Sequence, residues 1–126
     1  MPEPSSLGAE FARAFVAKDH ARVLELLDPA VDFRALTPNR NWEASSAERV
    51  VNGILDEWLE ASDEVEELEH VETDMVADRE RVGYRFRVRN PEGRFVVEQQ
   101  AYVASEGGRI NWMRVVCSGF RPDERA

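Results

Sequence analysis

The sequence predicts an α+β fold, in which helices from the first half of the chain pack on one face of a mostly antiparallel sheet from the second half. Two patterns support this prediction. Up to about residue 58 apolar residues recur every three or four positions, as on a helix, and from about residue 64 they alternate with polar residues, as in a strand. The 126 residues show no internal repeat and no linker, so we expect one domain over residues 1–126.

Two short helices are predicted first. Leu7, Phe11 and Phe15 lie on one apolar stripe of the first helix. Asp19 can cap the second helix by accepting a hydrogen bond from a free backbone amide of its first turn, and Pro29 ends that helix.

A third helix follows a polar loop. The stretch "AVDFRALTPNRNWEAS" predicts a short strand that runs into this loop, and Ser45 with Glu48 matches a capping box at the start of the helix. The apolar stripe of the helix consists of Val51, Ile54, Leu55 and Trp58. A tryptophan on such a stripe is more often a core residue than a ligand contact.

Four strands are predicted after the helices: "VEELEHVETDMVA", "RVGYRFRVRN", "RFVVEQQAYVA" and "RINWMRVVCSGF". Residues 56–80 contain twelve acidic residues and one arginine, whereas residues 79–94 contain six arginines. Arg85, Arg87 and Arg89 alternate on one strand face, either as an anion-binding groove or, as we favour, in pairs with the acidic segment across the strands.

The bulk charge and composition exclude several classes of partner. A net charge of −9 argues against nucleic acid and against anionic membranes. No apolar run is long enough to span a membrane. The N-terminal segment lacks a basic region followed by an apolar stretch, and the chain has one cysteine, Cys117, so we expect a cytoplasmic protein.

The turn "NPEG" decides which way Glu98 points. Its proline and glycine suit a three-residue hairpin loop with a bulge, which places Glu98 opposite Phe86 on the face that the helices cover. A two-residue turn would instead place Glu98 opposite Arg85, in a surface ion pair. We expect the three-residue loop, and therefore an inward carboxylate, which proteins keep either for a buried ion pair or for chemistry.

The layout resembles that of the nuclear transport factor 2-like superfamily, in particular its SnoaL-like and ketosteroid isomerase-like groups. The resemblance rests on a helix, the stretch "FVAKDHARVLELLDPAVDF", a capped third helix and strands ending "YVASEGGRINWMRVVCSGF", over roughly residues 6–120. It implies a cone, in which a strongly curved antiparallel sheet wraps around the N-terminal helices as an α+β barrel. It also implies an apolar pocket inside the cone and a homodimer.

The resemblance and the expected hairpin register together select the residues that face this pocket. Glu98 is the candidate catalytic residue. The candidate ligand-binding residues are Tyr84, Phe86, Gln100, Tyr102, Met113, Val115, Cys117 and Trp58.

The catalytic residues of the related enzymes are not retained. Arg34 stands near the position of the aspartate base of ketosteroid isomerases, Gln100 at that of their acidic hydrogen-bond donor, and Phe11 at that of their tyrosine. The charged set of limonene epoxide hydrolases is also replaced by uncharged residues. The resemblance therefore predicts the fold and does not predict the activity of any of these enzymes.

No metal or cofactor site is predicted. Two histidines and one cysteine lie far apart in the sequence, without the spacing of metal ligands, and no glycine-rich phosphate-binding loop occurs. Cys117 lies in an apolar strand, and we expect it to be an unreactive thiol.

The outer face of the sheet is predicted to carry an apolar patch. Trp112 is expected to point outward and to form this patch with Phe95, Val97 and Val116, interleaved with arginines. That composition is typical of a protein interface, so we expect a homodimer through this face.

Two functions are compatible with the sequence. In the first, the chain binds a small apolar molecule as a non-catalytic or accessory domain, and Arg34, Arg40 or Arg114 neutralises Glu98. In the second, it is a cofactor-independent isomerase, cyclase or lyase with Glu98 as general acid/base, acting on a small apolar oxygenated substrate. An arginine within hydrogen-bond distance of Glu98 favours binding, and an unpaired carboxyl at the end of a cavity favours catalysis.

Overall fold

The computed structural model describes residues 6–123. Residues 1–5, part of the N-terminal segment from which a cytoplasmic protein is expected, lie outside this range. The described part contains helices α1 (Leu7–Val16) and α2 (His20–Leu26), and a third helix, α3, built from the consecutive segments Ala47–Arg49, Val50–Leu55 and Asp56–Trp58. No helix in residues 6–123 is long and apolar enough to cross a membrane.

The helix caps agree with the sequence for α2 and differ for α3. The Asp19 side chain accepts a hydrogen bond from the Arg22 amide at 3.1 Å, as predicted. The predicted capping box at Ser45 is wrong, because Ser46 caps α3 instead, accepting from the Arg49 amide at 3.2 Å. The middle segment of α3 is π-helical, and its Val50, Val51, Ile54 and Leu55 are buried.

A sheet of seven strands follows in the described residues. The strands are β1 (Leu27–Thr37), β2 (Arg40–Ala44), β3 (Glu64–Val76), β4 (Arg79–Asn90), β5 (Gly93–Glu106), β6 (Arg109–Cys117) and β7 (Arg121–Pro122). Their order is β2-β1-β6-β5-β4-β3, and β7 pairs with the start of β5. The predicted α+β class and cone-shaped sheet are confirmed, and the sheet is curved and open between β2 and β3.

The predicted polar loop after β1 is a β-hairpin. Thr37 pairs with Arg40, and Asn39 adopts a φ of 70°, a left-handed conformation that asparagine tolerates better than most residues and that allows a two-residue turn. β1 also pairs in parallel with β6, with Ala35 beside Val115. This pairing brings the first and last long strands of the sheet together.

The turn between β4 and β5 has two residues, so the expected three-residue loop is wrong. Asn90 pairs with Gly93, whose φ of 136° closes the turn, and the Asn90 side chain accepts a hydrogen bond from the Glu92 amide at 2.8 Å. Because strand side chains alternate between faces, this one-residue difference reverses every β5 side chain. Glu98 consequently pairs with Arg85 instead of Phe86.

The helices cover the inner face of the sheet, as predicted. Val82, Tyr84, Phe86 and Val88 of β4 are at most 2% exposed on this face, and the Phe15 ring of α1 lies 5.9 Å from that of Phe86. The core therefore lies between the helices and the concave side of the sheet.

The arginines of β4 pair with the acidic β3, as we favoured from the sequence. Arg85 and Arg87 both form ion pairs with Glu69, and Arg89 Nη2 lies 2.6 Å from Glu64 Oε2. The hydrogen bond from Arg89 lowers the pKa of Glu64 below its usual value. These ion pairs therefore link the side chains of β4 to those of β3.

Candidate functional site

A cavity of about 350 Å³ lies between the helices and the inner face of the sheet. Its apolar lining comes from both layers and consists of Phe15, Pro38, Trp42, Trp58, Phe86, Val97 and Phe120. Its remaining lining residues are Thr37, Glu57, Gln99, Cys117, Ser118 and Gly119. An aromatic cavity with a few polar groups is the usual form of a small-molecule site.

Trp58 forms the centre of the aromatic wall. Its ring lies 6.0 Å from that of Trp42 at an interplanar angle of 87°, and 6.1 Å from that of Phe15 at 79°. The indole Nε1–H of Trp58 is buried and has no hydrogen-bond partner among the described residues. A buried donor without a partner is costly, so the hydrogen bond that this N–H does not make lowers the stability of the protein.

Gln99 supplies the polar group on the sheet side. It is 2% exposed, its Oε1 accepts a hydrogen bond from the Tyr84 hydroxyl at 2.5 Å, and its Nε2 donates to Cys117 Sγ at 3.2 Å. An amide has two N–H donors and an oxygen that accepts twice, so one N–H and one acceptor position of Gln99 remain.

Tyr84 stays a neutral donor behind Gln99. Burial raises the pKa of Tyr84 well above its usual value, and the neighbouring Cys117 raises it further. Near neutral pH the phenol therefore keeps its proton and orients the Gln99 amide.

The mouth of the cavity is formed by the β1–β2 hairpin, α3 and the segment after β6. Arg40 Nη1 lies 3.7 Å from Glu57 Oε2, and the Arg40 guanidinium stacks 3.6 Å from the centroid of Trp42. Gly119 has a φ of 72°, and a Cβ at this position would lie 2.9 Å from Cγ of Pro38. The glycine therefore permits the close approach of the chain to the hairpin.

The structure brings three of the predicted ligand-binding residues into the cavity lining: Trp58, Phe86 and Cys117. Tyr84 is buried behind the lining and reaches it through Gln99. Met113 and Val115 point inward as expected but are buried in the core, at 0% and 2% exposure, outside the cavity lining.

The inward placement of Glu98, Gln100 and Tyr102 is wrong, because the two-residue turn puts all three on the outer face. The Glu98 side chain is 51% exposed, and its Oε1 lies 2.7 Å from Arg85 Nη2. A carboxylate in this position does not reach a molecule held in the cavity.

None of the three arginines proposed to neutralise Glu98 pairs with it. The observed partners of Arg34, Arg40 and Arg114 are Glu43, Glu57 and Asp32, respectively.

Gln99, Val97 and Trp42 also line the cavity, although none of them is among the residues expected there from the sequence. The signal for the first two lies in β5 itself: Phe95, Val97, Ala101 and Val103 form the more apolar of its two alternating rows, and Gln99 is the polar member of that row. Trp42 lies in the stretch expected to be a polar loop, which the structure shows to be the β1–β2 hairpin.

Among residues 6–123, no three histidine, cysteine, aspartate or glutamate side chains lie close enough together to hold a metal ion. Cys117 is a free thiol whose sulfur accepts from the Gln99 amide and from the Gly119 amide at 3.4 Å.

No protein-family model matches the sequence, and no curated protein sequence matches it. Solved structures do share its fold. A protein from Shewanella putrefaciens assigned as a SnoaL-like polyketide cyclase superposes with a TM-score of 0.69 at 11% identity, over 94% of this chain and 91% of that one. An LEH-like epoxide hydrolase from M. tuberculosis gives 0.63 at 12% identity, over 89% and 80% of the two chains.

A third similar structure is a protein of ketosteroid isomerase-like fold from Catenulispora acidiphila, in complex with trimethylamine. Its TM-score is 0.65 at 11% identity, over 92% of this chain and 88% of that one. The chain therefore has the fold of the nuclear transport factor 2-like proteins, the class that the sequence resembles. At these identities the similarity establishes the fold and not an activity.

Proposed function

We propose that this protein binds a small, mostly apolar organic molecule in the cavity between α3 and the sheet. The observation that carries the proposal is an aromatic cavity of about 350 Å³ in which buried hydrogen-bonding capacity remains at Trp58 and Gln99. This volume is within the range of about 300–1,000 Å³ typical of small-molecule sites.

The arrangement favours a ligand with an apolar body and one oxygen acceptor. The body would contact the aromatic wall, and a carbonyl or ether oxygen would accept from the Trp58 indole N–H or the remaining N–H of Gln99. The similar structure in complex with trimethylamine supports binding of a small organic molecule by this fold.

Binding without catalysis is the function that the site residues favour. Glu57 and Cys117 are the titratable side chains that line the cavity among the described residues, and the Glu57 side chain is 56% exposed at the mouth. Glu98, the proposed general acid/base, lies on the other face of the sheet.

The second candidate function is catalysis of a reaction on a substrate bound in the same cavity. It is favoured by similar structures assigned as a polyketide cyclase and an epoxide hydrolase. The free N–H groups of Trp58 and Gln99 would then stabilise charge that develops on a substrate oxygen.

Tryptophan fluorescence tests the proposal directly. Trp42 and Trp58 line the cavity, whereas Trp112 lies outside its lining, with the guanidinium groups of Arg79 and Arg114 each 4.5 Å from its ring centroid. We expect cyclic ketones, lactones or aromatic ketones to change the emission and to raise the melting temperature. If no compound in such a panel does either, the proposal is contradicted.

Gln99→Leu and Gln100→Leu form a matched pair for this experiment, since the same side chain is removed from the inner and the outer face. We expect Gln99→Leu to weaken ketone binding about fivefold to tenfold through the lost hydrogen bond, and Gln100→Leu to leave it unchanged. Conversion of a bound compound, followed by chromatography, would favour the second candidate.

We also infer that the outer face of the sheet is a self-association surface, with a different composition from that expected. Val97 is 1% exposed on the inner face, and Phe95 packs against Phe120 with ring centroids 5.6 Å apart, so neither belongs to the outer face. Leu36 and Val116, which pair in adjacent strands, are 53% and 54% exposed and form its apolar centre.

We infer a cytoplasmic location from the free Cys117, because a lone thiol suits a reducing compartment. Localisation of a tagged full-length chain by cell fractionation tests this inference.

A further inference from the structure

Glu57 is the one carboxylate among the described residues that line the cavity. Among the described residues that line the cavity there is no lysine, arginine or histidine. The Glu57 carboxylate pairs with Arg40 across 3.7 Å, and the two side chains are 56% and 59% exposed. This ion pair is therefore open to solvent and weak, so a cationic ligand can replace Arg40 as the partner of Glu57.

The wall beside Glu57 consists of tryptophan rings. Trp42 and Trp58 stand almost perpendicular to each other at 87°, and both line the cavity. The faces of aromatic rings carry negative electrostatic potential and attract cations, tryptophan most strongly. Arg40 already uses this property, because its guanidinium lies 3.6 Å from the centroid of the Trp42 ring.

We propose that the ligand of this cavity carries a positively charged, alkylated ammonium group, which binds against the tryptophan wall and beside Glu57. The apolar remainder of the ligand extends toward Phe86 and Val97. This inference rests on the proposed binding function and specifies the chemical class of the ligand. An anion is disfavoured because Glu57 is the charged group of the lining.

Alkylation of the ammonium group follows from the aromatic character of the tryptophan wall. A primary ammonium group has three N–H donors and is strongly hydrated, so burying it requires acceptors that an aromatic wall does not provide. Methyl groups on nitrogen replace those donors and make van der Waals contact with the rings, while the positive charge is kept.

Three probes of nearly the same shape separate charge from shape: choline, its neutral carbon isostere 3,3-dimethyl-1-butanol, and the anion 3,3-dimethylbutanoate. We expect choline to bind about fivefold to thirtyfold more tightly than the neutral alcohol, by titration calorimetry and tryptophan fluorescence, and the anion to bind most weakly. The preference for choline should diminish as salt concentration rises.

Two variants with opposite expected effects test the assigned residues. Glu57→Gln should weaken choline binding about threefold to tenfold and leave binding of the neutral alcohol unchanged. Arg40→Gln should strengthen choline binding, because Arg40 competes for both the carboxylate and the Trp42 ring. Glu43→Gln is the matched control: it removes one exposed carboxylate, paired with Arg34, from outside the cavity lining.

The outcomes distinguish this inference from the proposed function. If the neutral alcohol or a ketone binds as tightly as choline and Glu57→Gln changes neither, the ammonium inference is overturned while the binding function stands. If none of the three probes and no ketone binds, both are overturned. Choline binding that is lost equally in Glu43→Gln and Glu57→Gln also overturns the inference, because it reflects net charge alone.

Discussion

Glu98 and Gln99 are neighbours in the chain, yet their side chains lie in opposite environments. The Glu98 carboxylate is half exposed and pairs with Arg85, whereas Gln99 is 2% exposed and hydrogen-bonds to Tyr84 and Cys117. The buried amide lines the cavity, and its two hydrogen-bond partners fix its orientation. The exposed carboxylate forms part of an ion pair on the outer face of the sheet.

We predict that Glu98→Gln has little effect on stability. An exposed ion pair contributes about 0–1 kcal/mol, so urea denaturation at neutral pH should show a loss within that range. Ligand binding should be unchanged. A loss of several kcal/mol would contradict the outward position of Glu98.

Gln99→Leu provides the contrast for this measurement. It leaves the Tyr84 hydroxyl without its acceptor in a buried position, at a cost of about 1–3 kcal/mol.

At the scale of elements, Asp63 connects three segments. Its Oδ2 accepts from the Glu60 amide at 2.9 Å, its Oδ1 accepts from Asn90 Nδ2 at 2.9 Å, and its backbone carbonyl accepts from the Lys18 ammonium. Asp63 is 6% exposed. It therefore joins the loop before β3 to the β4–β5 turn and to the end of α1.

We predict that Asp63→Ala lowers the free energy of unfolding by about 2–4 kcal/mol. The substitution leaves the Glu60 amide and the Asn90 side chain without their acceptor, and each loss costs about 1–3 kcal/mol before relaxation. Denaturation in urea measures the change. Glu60→Ala is the control, since it removes an exposed acidic side chain and keeps the Glu60 amide; an equal effect of both variants would contradict the role of Asp63.

At the scale of the whole molecule, the two faces of the sheet serve different purposes. The inner face is covered by the helices and holds the cavity. The outer face carries the ion pairs between β3 and β4 and the exposed Leu36 and Val116. Exposed neighbouring apolar side chains among polar ones are typical of an interaction surface.

We predict that Val116→Glu and Leu36→Glu shift the protein from dimer to monomer. Two copies would bring these introduced carboxylates into an apolar contact, where burial of charge is unfavourable. Light scattering coupled to size exclusion over a dilution series measures the shift. Met75→Glu is the control, because Met75 is 65% exposed on β3, at the other end of the sheet order. A monomeric wild type at every concentration would contradict the prediction.

Much of this architecture is readable from short-range patterns. The stripes of α1 and α3, the Asp19 cap and the inward row of β4 follow from periodicity and capping chemistry, which act within a few residues. The parallel pairing of β1 with β6 was not predicted, because it joins distant segments and leaves no local signal.

Residue type and alternation are enough to predict the α+β class, the covered face of β4 and the pairing of the β4 arginines with the acidic strand. The register of β5, in contrast, follows from long-range packing. Proline and glycine in "NPEG" fit both a two-residue and a three-residue connection, and the choice depends on which β5 row packs under the helices. Burial of Val97, Ala101 and Val103 requires the two-residue turn. That one-residue difference places Gln99 in the cavity and Glu98 outside it, because strand side chains alternate.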